Sequence, residues 1–300
     1  MIFLITGGTG LVGKKLIKVL LEANHTVRVL SRSAHSDTQV SYFKWDIDKD
    51  FVDPAALKEV DVLIHLAGAG VADAKWTAKR KKEIIDSRVK PLLLLEKAFK
   101  EQNTYPKKIV SASAVGIYGF DTGDTLLTEV SKSGADYLSK VVEEWEGAVK
   151  GFANAGGIKA AMLRIGIVLD LNGGALPQLA LPVKLGVGSP IGDGKQWISW
   201  IHVEDLCRMF LKASIADMEG AYNAVAPDPE RNKDFVKVLA KVLDKPLWAP
   251  AVPEFVLKIM LGERSQMVLG GNKVSAIKVK EAGFTFNYPD LEKALTDLYA

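Results

Sequence analysis

The stretch Ile2–Gly13, IFLITGGTGLVG, decides the fold. Its first five residues are mostly apolar and predict a short buried strand, and apolar residues then recur with helical spacing over Leu11–Ala23. Between them, Gly8, Gly10 and Gly13 match the pattern G-x-G-x-x-G. A strand, a glycine turn and a helix in this order are typical of a dinucleotide-binding unit.

The turn also predicts which atoms bind the dinucleotide. Glycine allows a tight turn and a close approach of the pyrophosphate, and the N-terminus of the helix offers free N–H groups with a partial positive charge. The predicted cofactor contacts here are Gly7, Gly10, Leu11, Val12 and Gly13.

Strands and helices alternate along the following chain, which predicts an α/β fold with a doubly wound parallel sheet of the Rossmann type. The carboxyl ends of parallel strands meet along one edge, so the residues after each strand should line one crevice. The predicted strands are Ile2–Thr6, Thr26–Leu30, Val40–Trp45, Asp61–Ala67, Lys107–Ser111 and Lys159–Ile165, and the later helices are Ala78–Lys100, with a kink at Pro91, and Ala135–Ala155.

The amino-acid composition of the sequence changes near residue 170. Residues 1–170 are predicted to form the NADP-binding Rossmann domain, and residues 200–225 return to it. Residues 171–199 and 226–300, which are richer in glycine and proline, are predicted to form a smaller lobe on the substrate side that caps the crevice.

Composition limits the class of partner. The net charge of +3 over 300 residues is too small to favour nucleic acid, and the longest apolar run is too short for a membrane span. The single cysteine, Cys207, excludes an internal disulfide and fits a cytoplasmic protein. We therefore expect a small-molecule substrate and no nucleic-acid or membrane partner.

The end of the second strand indicates the type of dinucleotide. An NAD site usually places Asp or Glu there to bind the ribose 2′-hydroxyl, whereas an NADP site uses arginine. The sequence has Ser31-Arg32 and no acid at this point. Arg32 can hold a 2′-phosphate by paired hydrogen bonds, so the sequence predicts NADPH over NADH.

Several longer motifs resemble the extended short-chain dehydrogenases/reductases, and more narrowly the atypical group of epimerase family proteins with a small C-terminal domain of undefined function. The resemblance covers essentially the whole chain. It rests on ITGGTGLVG at 5–13, HLAGAGVADAKWT at 65–77, IIDSR at 84–88, SASAVGIYG at 111–119, LRIGIVL at 163–169, LGVGSPIGDGKQWISWIHVEDL at 185–206 and EAGFTFNYPDLEKAL at 281–295.

This resemblance implies further cofactor contacts. Ser31 and Arg32 would face the 2′-phosphate, and Lys140 would bind the nicotinamide ribose. The other positions that the resemblance or the predicted crevice adds are Leu66, Ala67, Gly68, Glu83, Arg88 and Val168. Without the resemblance, Glu83 and Arg88 would be interpreted as helix-surface charges.

The resemblance also implies catalysis by a tyrosine that exchanges a proton, assisted by a lysine and a serine. Ser113 and Lys140 occupy the expected serine and lysine positions, but Asp136 stands where the tyrosine is expected and Tyr137 is one residue later. Three interpretations stay open: Tyr137 replaces the usual tyrosine; Asp136, Tyr118 or a water transfers the proton in a different reaction; or the site binds NADPH without turnover.

The segment Leu185–Leu206 is predicted to lie on the substrate side. Its glycines make a loop that can close over a ligand, Trp197 and Trp200 offer stacking surfaces, and Lys195 with Arg231 can bind a phosphate or carboxylate. His202 is interpreted as a hydrogen-bonded structural residue, and no metal site is predicted because no cluster of ligands has metal spacing. The two functions to be separated are an NADPH-dependent oxidoreductase or epimerase and a silent, NADPH-responsive binding protein.

Overall fold

The computed structural model describes residues 1–35 and 37–300. The strands are β1 (Ile2–Thr6), β2 (Thr26–Ser31), β3 (Val40–Asp46), β4 (Phe51–Val52), β5 (Val62–His65), β6 (Lys108–Ala114), β7 (Leu126–Leu127), β8 (Lys159–Ile165), β9 (Ile167–Leu169), β10 (Trp197–Ile198), β11 (Trp200–His202), β12 (Gly220–Ala224), β13 (Glu230–Arg231) and β14 (Lys273–Val274). The helices are α1 (Leu11–Glu22), α2 (Ala78–Glu101), α3 (Tyr137–Gly156), α4 (Leu176–Lys184), α5 (Val203–Ile215), α6 (Asn232–Val242), α7 (Glu254–Leu261), α8 (Gln266–Leu269), α9 (Ile277–Glu281) and α10 (Leu291–Tyr299).

An eight-stranded sheet forms the centre of the fold, in the order β12-β8-β6-β5-β1-β2-β3-β4. Its strands pair in parallel, apart from β4, which runs antiparallel to β3. The predicted Rossmann-type sheet is therefore confirmed. Because the central strands are buried on both faces, their sequences contain nearly continuous apolar runs, as in β1 and β5.

Most predicted element boundaries agree within a few residues. The strand predicted over Asp61–Ala67 ends at His65, so Leu66 and Ala67 already belong to the loop at the crevice, and the strand predicted over Lys107–Ser111 continues to Ala114. The helix α2 continues through Pro91 in one element. Sequence reasoning did not identify β12, which pairs with β8 and forms one edge of the sheet.

The apolar residues form two clusters. The larger one surrounds the central sheet and includes residues of the C-terminal region, namely Val274, Ala276, Val279 and Phe284. The smaller one joins α4, α6 and α10 beside the crevice, with Trp200, Phe235 and Leu295 fully buried. The C-terminal region therefore packs on both clusters.

Candidate functional site

The glycine turn after β1 has a backbone shape that requires glycine. Gly7 has φ +72°, and a Cβ atom there would lie 2.7 Å from the carbonyl carbon of Leu66. A Cβ atom at Gly13 would lie 2.4 Å from the carbonyl oxygen of Gly7. The turn is closed by a hydrogen bond of 3.0 Å from Gly10 N–H to the Gly7 carbonyl. Side chains are excluded here, which leaves the backbone open to a ligand.

The N-terminus of α1 is suited to an anion. Gly10 caps the helix without a side-chain hydrogen bond, and the first turn contains no acidic residue. The N–H groups of Leu11, Val12 and Gly13 lie in that first turn and have no intrahelical acceptor. Together with the partial positive charge of the helix end, they form a site for a pyrophosphate.

The end of β2 carries the pair that was predicted to select the cofactor. Ser31 is buried, and its Oγ accepts a hydrogen bond of 3.2 Å from Ser33 N–H. Arg32 is exposed and forms no ion pair or hydrogen bond within the described part of the chain. Its guanidinium is therefore available to a ligand.

The end of β5 makes the floor of the crevice. His65 is fully buried and bridges Thr6 Oγ1, at 2.8 Å, and the Arg88 carbonyl, at 3.0 Å. Burial lowers the pKa of His65 to about 4, so its imidazole is neutral at physiological pH. The next residues, Leu66 and Ala67, bond through their N–H groups to the Thr6 carbonyl and Oγ1, which holds the floor beside the glycine turn.

Arg88 is a half-buried cation on α2 without a carboxylate partner among the described residues. Its NH1 donates to the Ile84 carbonyl at 2.8 Å, and its Cζ lies 5.1 Å from the centre of the Trp145 ring. Burial lowers the pKa of Arg88 to about 10, which still leaves it charged at neutral pH. A Cβ atom at Gly68 would lie 3.1 Å from its Cζ, so the guanidinium borders the crevice floor.

A second unsatisfied donor lies beside Arg88. The indole N–H of Trp145 is buried and has no hydrogen-bond partner in the structure. A buried donor without an acceptor, and a largely enclosed cation without a carboxylate partner, are costly unless a ligand pairs with them. The oxygen atoms of a dinucleotide are acceptors of the required kind, so these residues fit the predicted cofactor.

The other positions implied by the resemblance are placed differently. Glu83 is mostly exposed and pairs with Arg80, with its Oε1 at 2.9 Å from the NH1 atom. Val168 follows β8 and lies within the short strand β9, opposite Ile201 of β11.

The structure does not bring Lys140 to Ser113, contrary to the sequence-based expectation. The buried face of α3 passes through Ser139, Val142 and Glu146, whereas Lys140 is exposed and makes no ion pair with any described residue. The reason lies at the start of the helix, where Asp136 is the N-cap and its Oδ1 accepts a hydrogen bond of 3.0 Å from Ser139 N–H. Lys140 is one residue past Ser139, which turns it by about 100° away from the buried face.

Ser113 has a different partner from the one expected. Its hydroxyl is buried and donates to Glu146 Oε1 at 2.7 Å. Arg164 donates to both oxygens of the same carboxylate, at 2.8 Å through Nε and 3.0 Å through NH2. Burial by itself would raise the pKa of Glu146, but the hydrogen bonds from Arg164 and Ser113 outweigh it and hold this pKa below its ordinary value.

Tyr118 belongs to the same buried network and does not reach the crevice. Its hydroxyl donates to Asn223 Oδ1 at 2.6 Å and accepts from Arg164 NH1 at 3.1 Å. With both roles of the hydroxyl occupied, Tyr118 is a structural residue.

Tyr137 is the remaining hydroxyl of those considered, and it is half-buried at the start of α3. Its hydroxyl donates to the Lys81 carbonyl at 2.9 Å, and its ring packs edge-on against Trp76, with 5.2 Å between ring centres. Burial raises the pKa of Tyr137, while the charges of Arg88 and Arg80 act in the opposite direction. The cations that lower the pKa of Tyr137 are thus on α2 and not on α3.

Residues 252–272 of the C-terminal region connect the two sides of the crevice. On the side of α2, Arg264 NH1 donates to the Ala72 carbonyl at 2.7 Å and Glu263 pairs with Lys81 at 2.6 Å. On the other side, Gln196 Nε2 donates to the Val268 carbonyl at 2.9 Å. These contacts join the region to α2 and the segment that leads into it, and to the segment just before β10.

Sequence reasoning missed Glu146 and Arg164. A signal was present in each case: Glu146 stands within the apolar stripe of α3, and Arg164 within the apolar strand β8. A charged residue in a buried pattern indicates a buried partner of opposite charge.

His202 is placed as predicted. It is buried, caps α5, and its Nδ1 accepts a hydrogen bond of 3.2 Å from Glu204 N–H. Over residues 1–35 and 37–300, no group of three or more His, Cys, Asp or Glu side chains is arranged to hold a metal ion. None of the helices in the described ranges combines the length and the apolar character of a membrane span.

Comparisons with known proteins agree with this geometry. A family model described as the NAD dependent epimerase/dehydratase family matches residues 3–224, and one described as a domain of unknown function, DUF1731, matches residues 252–298. The epimerase family protein YfhF of Bacillus subtilis is 38% identical over 298 residues, which cover 98% of this chain and 97% of YfhF.

Two solved structures are similar along the whole chain. Human epimerase family protein SDR39U1 (isoform 2), solved with NADPH, has a TM-score of 0.87 and 29% identity and covers 99% of both chains. The nucleoside-diphosphate sugar epimerase from Corynebacterium glutamicum has a TM-score of 0.79 and 32% identity, covering 99% of this chain and 58% of that one.

Proposed function

Because this chain belongs to the NAD dependent epimerase/dehydratase family, we propose that it is an NADP(H)-dependent oxidoreductase or epimerase acting on a small polar or nucleotide-linked substrate. The observation that carries the proposal is the arrangement of positive groups without carboxylate partners around the glycine turn: the α1 N-terminus, exposed Arg32 and half-buried Arg88. These groups match the pyrophosphate, the 2′-phosphate and the ribose oxygens of NADPH. The NADPH bound in the human relative supports the same choice.

In this proposal, residues of the chain itself transfer the proton. When bound, the nicotinamide supplies or accepts hydride. We assign to Tyr137 the donation of a proton to the carbonyl oxygen of the substrate during reduction, which requires its O–H to leave the Lys81 carbonyl. Its raised pKa keeps the phenol protonated at neutral pH, which suits an acid, and the positive charge of Arg88 stabilises the phenolate that is left after the proton has been donated.

A second candidate function is a silent NADPH-responsive binding protein. One observation favours it: the hydroxyl of Ser113 donates its hydrogen bond to Glu146. This hydroxyl is therefore not free to orient a substrate oxygen in the way that the resemblance implied. Measurement of turnover separates the two candidates.

Turnover is tested by incubating the protein with NADPH and a panel of carbonyl compounds and sugar nucleotides, following absorbance at 340 nm and epimer composition. We expect turnover with at least one compound, and a loss of kcat of ~10² to 10⁴ in Tyr137→Phe, because a positioned proton donor contributes that much. Tyr105→Phe is the matched control, since this hydroxyl bonds weakly to the Glu96 carbonyl outside the crevice. Absence of turnover, together with intact NADPH binding, would favour the silent protein.

Arg32 is expected to set the preference for NADPH. In Arg32→Glu the dissociation constant for NADPH should rise ~10 to 100-fold, because a charge-assisted contact is lost and a repulsive carboxylate is gained. The dissociation constant for NADH should stay the same or fall, since glutamate can bind the 2′-hydroxyl. Fluorescence titration of both cofactors measures this, with Lys100→Glu, an exposed lysine near the end of α2, as control. Equal losses for the two cofactors would speak against a 2′-phosphate contact.

A further inference from the structure

A cluster of charges surrounds Trp197 on the substrate side of the crevice. The Cζ atom of Arg231 lies 4.0 Å from the centre of the Trp197 ring, and the Nζ atom of Lys273 lies 4.7 Å from it. Asp124 accepts a hydrogen bond of 2.9 Å from the indole N–H and also pairs with Arg231. We call these four residues the Trp197 cluster.

Four separate segments build the cluster. Trp197 and Arg231 face each other in the antiparallel pair β10–β13. Lys273 is in β14, which pairs with β7, and Asp124 lies in the loop before β7. That loop begins just after the 3₁₀ turn that follows β6, so the cluster borders the carboxyl edge of the sheet where the crevice opens.

Hydrogen bonds of a buried side chain hold the loop that contains Asp124 against β14. The buried Asn272, next to Lys273, donates through Nδ2 to the Gly119 carbonyl at 2.6 Å and accepts from Thr122 Oγ1 at 3.0 Å. Ser199 Oγ, two residues after Trp197, donates to the Asn272 carbonyl at 2.8 Å. The positions of Lys273 and Trp197 are therefore fixed by buried contacts and not by their own charges.

The charges in the cluster do not balance. Two cations approach one indole ring, and a single carboxylate, Asp124, compensates for them. An ammonium has three N–H donors, and none of those of Lys273 is used by a protein acceptor in residues 1–35 and 37–300. Lys273 is half-buried, and the Arg231 side chain is only 26% exposed, so both are less hydrated than free surface cations.

Asp124 has the properties of a replaceable counterion. Its side chain is 75% exposed, in contrast to the cations that it faces. The hydrogen bond from Trp197 and the charges of Arg231 and Lys273 lower the pKa of Asp124, so its carboxylate is ionised at neutral pH. An incoming oxyanion can take its place against Arg231 and at the same time reach the unused donors of Lys273.

We propose that the Trp197 cluster binds an oxyanion of the substrate, a phosphoryl or carboxylate group, with Lys273 and Arg231 as its ligands and Asp124 as the group that it displaces. This inference rests on the proposed function, because it places the anionic end of the substrate opposite the cofactor. It also assigns a binding role to Lys273, within the region that matches the domain of unknown function. The substrate is thereby narrowed to an anionic compound.

The test uses inorganic pyrophosphate, UDP and citrate as probes. Each is titrated into the full-length protein saturated with NADPH, by calorimetry and by tryptophan fluorescence. We expect at least one probe to bind, with a dissociation constant raised 10-fold or more in Lys273→Met and in Arg231→Gln. Asp124→Asn is expected to lower the same constant several-fold, because the competing carboxylate is gone. Binding of pyrophosphate or UDP alone identifies a phosphoryl group, and binding of citrate alone identifies a carboxylate.

The controls separate this inference from the proposed function. Lys280→Met removes an exposed lysine of α9 outside the cluster and should leave all three probe affinities unchanged. NADPH affinity should stay at the wild-type value in Lys273→Met. If NADPH binds but no probe does, or if Lys273→Met and Lys280→Met bind the probes equally well, the inference is overturned while the proposed function stands. If NADPH itself does not bind, the proposed function fails.

Discussion

Replacement of Gly7 by alanine is expected to weaken NADPH binding by ~100-fold or more, equivalent to about 2.7 kcal/mol, and to lower the free energy of unfolding by roughly 2–4 kcal/mol. The first reason is the backbone: Gly7 has φ +72°, where a residue with a Cβ atom costs about 1–2 kcal/mol. The second is the 2.7 Å approach of that Cβ to the backbone of Leu66. Any relaxation moves the glycine turn away from the floor formed by Leu66 and Ala67.

The measurements are urea unfolding and fluorescence titration with NADPH. Gly147→Ala is the matched control, because Gly147 lies inside α3 and a Cβ atom there meets nothing within 4 Å. This control should gain up to about 1 kcal/mol of stability through helix propensity and bind NADPH normally. Wild-type stability and affinity in Gly7→Ala would show that the turn does not have the tight geometry described above.

Replacement of Glu146 by alanine is expected to lower the free energy of unfolding by about 3–5 kcal/mol, because it leaves Arg164 buried without its partner. The same change removes the acceptor of the Ser113 hydroxyl. Glu143→Ala, an exposed carboxylate on the same helix, should change the stability by less than about 0.5 kcal/mol. The double variant Glu146→Leu/Arg164→Met should lose much less than Glu146→Ala, since it leaves no unpaired charge.

Glu146 also predicts a dependence of stability on pH. Its pKa is lower in the folded protein than its ordinary value, so the folded state binds this proton less well than the unfolded state. The stabilisation is present above the ordinary glutamate pKa of about 4.3 and is lost as the pH falls through the lower, folded value. In Glu146→Gln the loss of stability between neutral and acidic pH should therefore be smaller. An unchanged acid dependence would indicate that the pair with Arg164 is not formed as described.

The role of Ser113 could not be predicted from the sequence alone. Its position at the end of a strand, and hence near the crevice, followed from the alternation of strands and helices. The partner of Ser113 did not follow from this pattern, because Glu146 is 33 residues away and the contact depends on the rotation of α3 about its axis. That rotation is set by the N-cap Asp136, and a change of one residue turns a side chain by about 100°.

The burial of Arg88 and the contact between Lys273 and Trp197 could not be predicted from the sequence for the same reason. A lone arginine on a helix is usually a surface residue, and only the packing of α2 against Trp145 makes Arg88 a half-buried cation without a carboxylate partner. Lys273 lies beside Trp197 although the two residues are 76 positions apart in the sequence (273 minus 197). The glycine turn, by contrast, was predictable because its geometry is local and each glycine has its own steric reason.

The central claim is that the unpaired positive groups around the glycine turn form an NADPH site, and titration of the wild-type protein with NADPH and NADH under the same salt conditions tests it most directly. Paired hydrogen bonds from Arg32 to the 2′-phosphate predict that NADPH binds at least ~10-fold more tightly than NADH, a difference of about 1.4 kcal/mol. Equal affinities, or tighter binding of NADH, would contradict the claim.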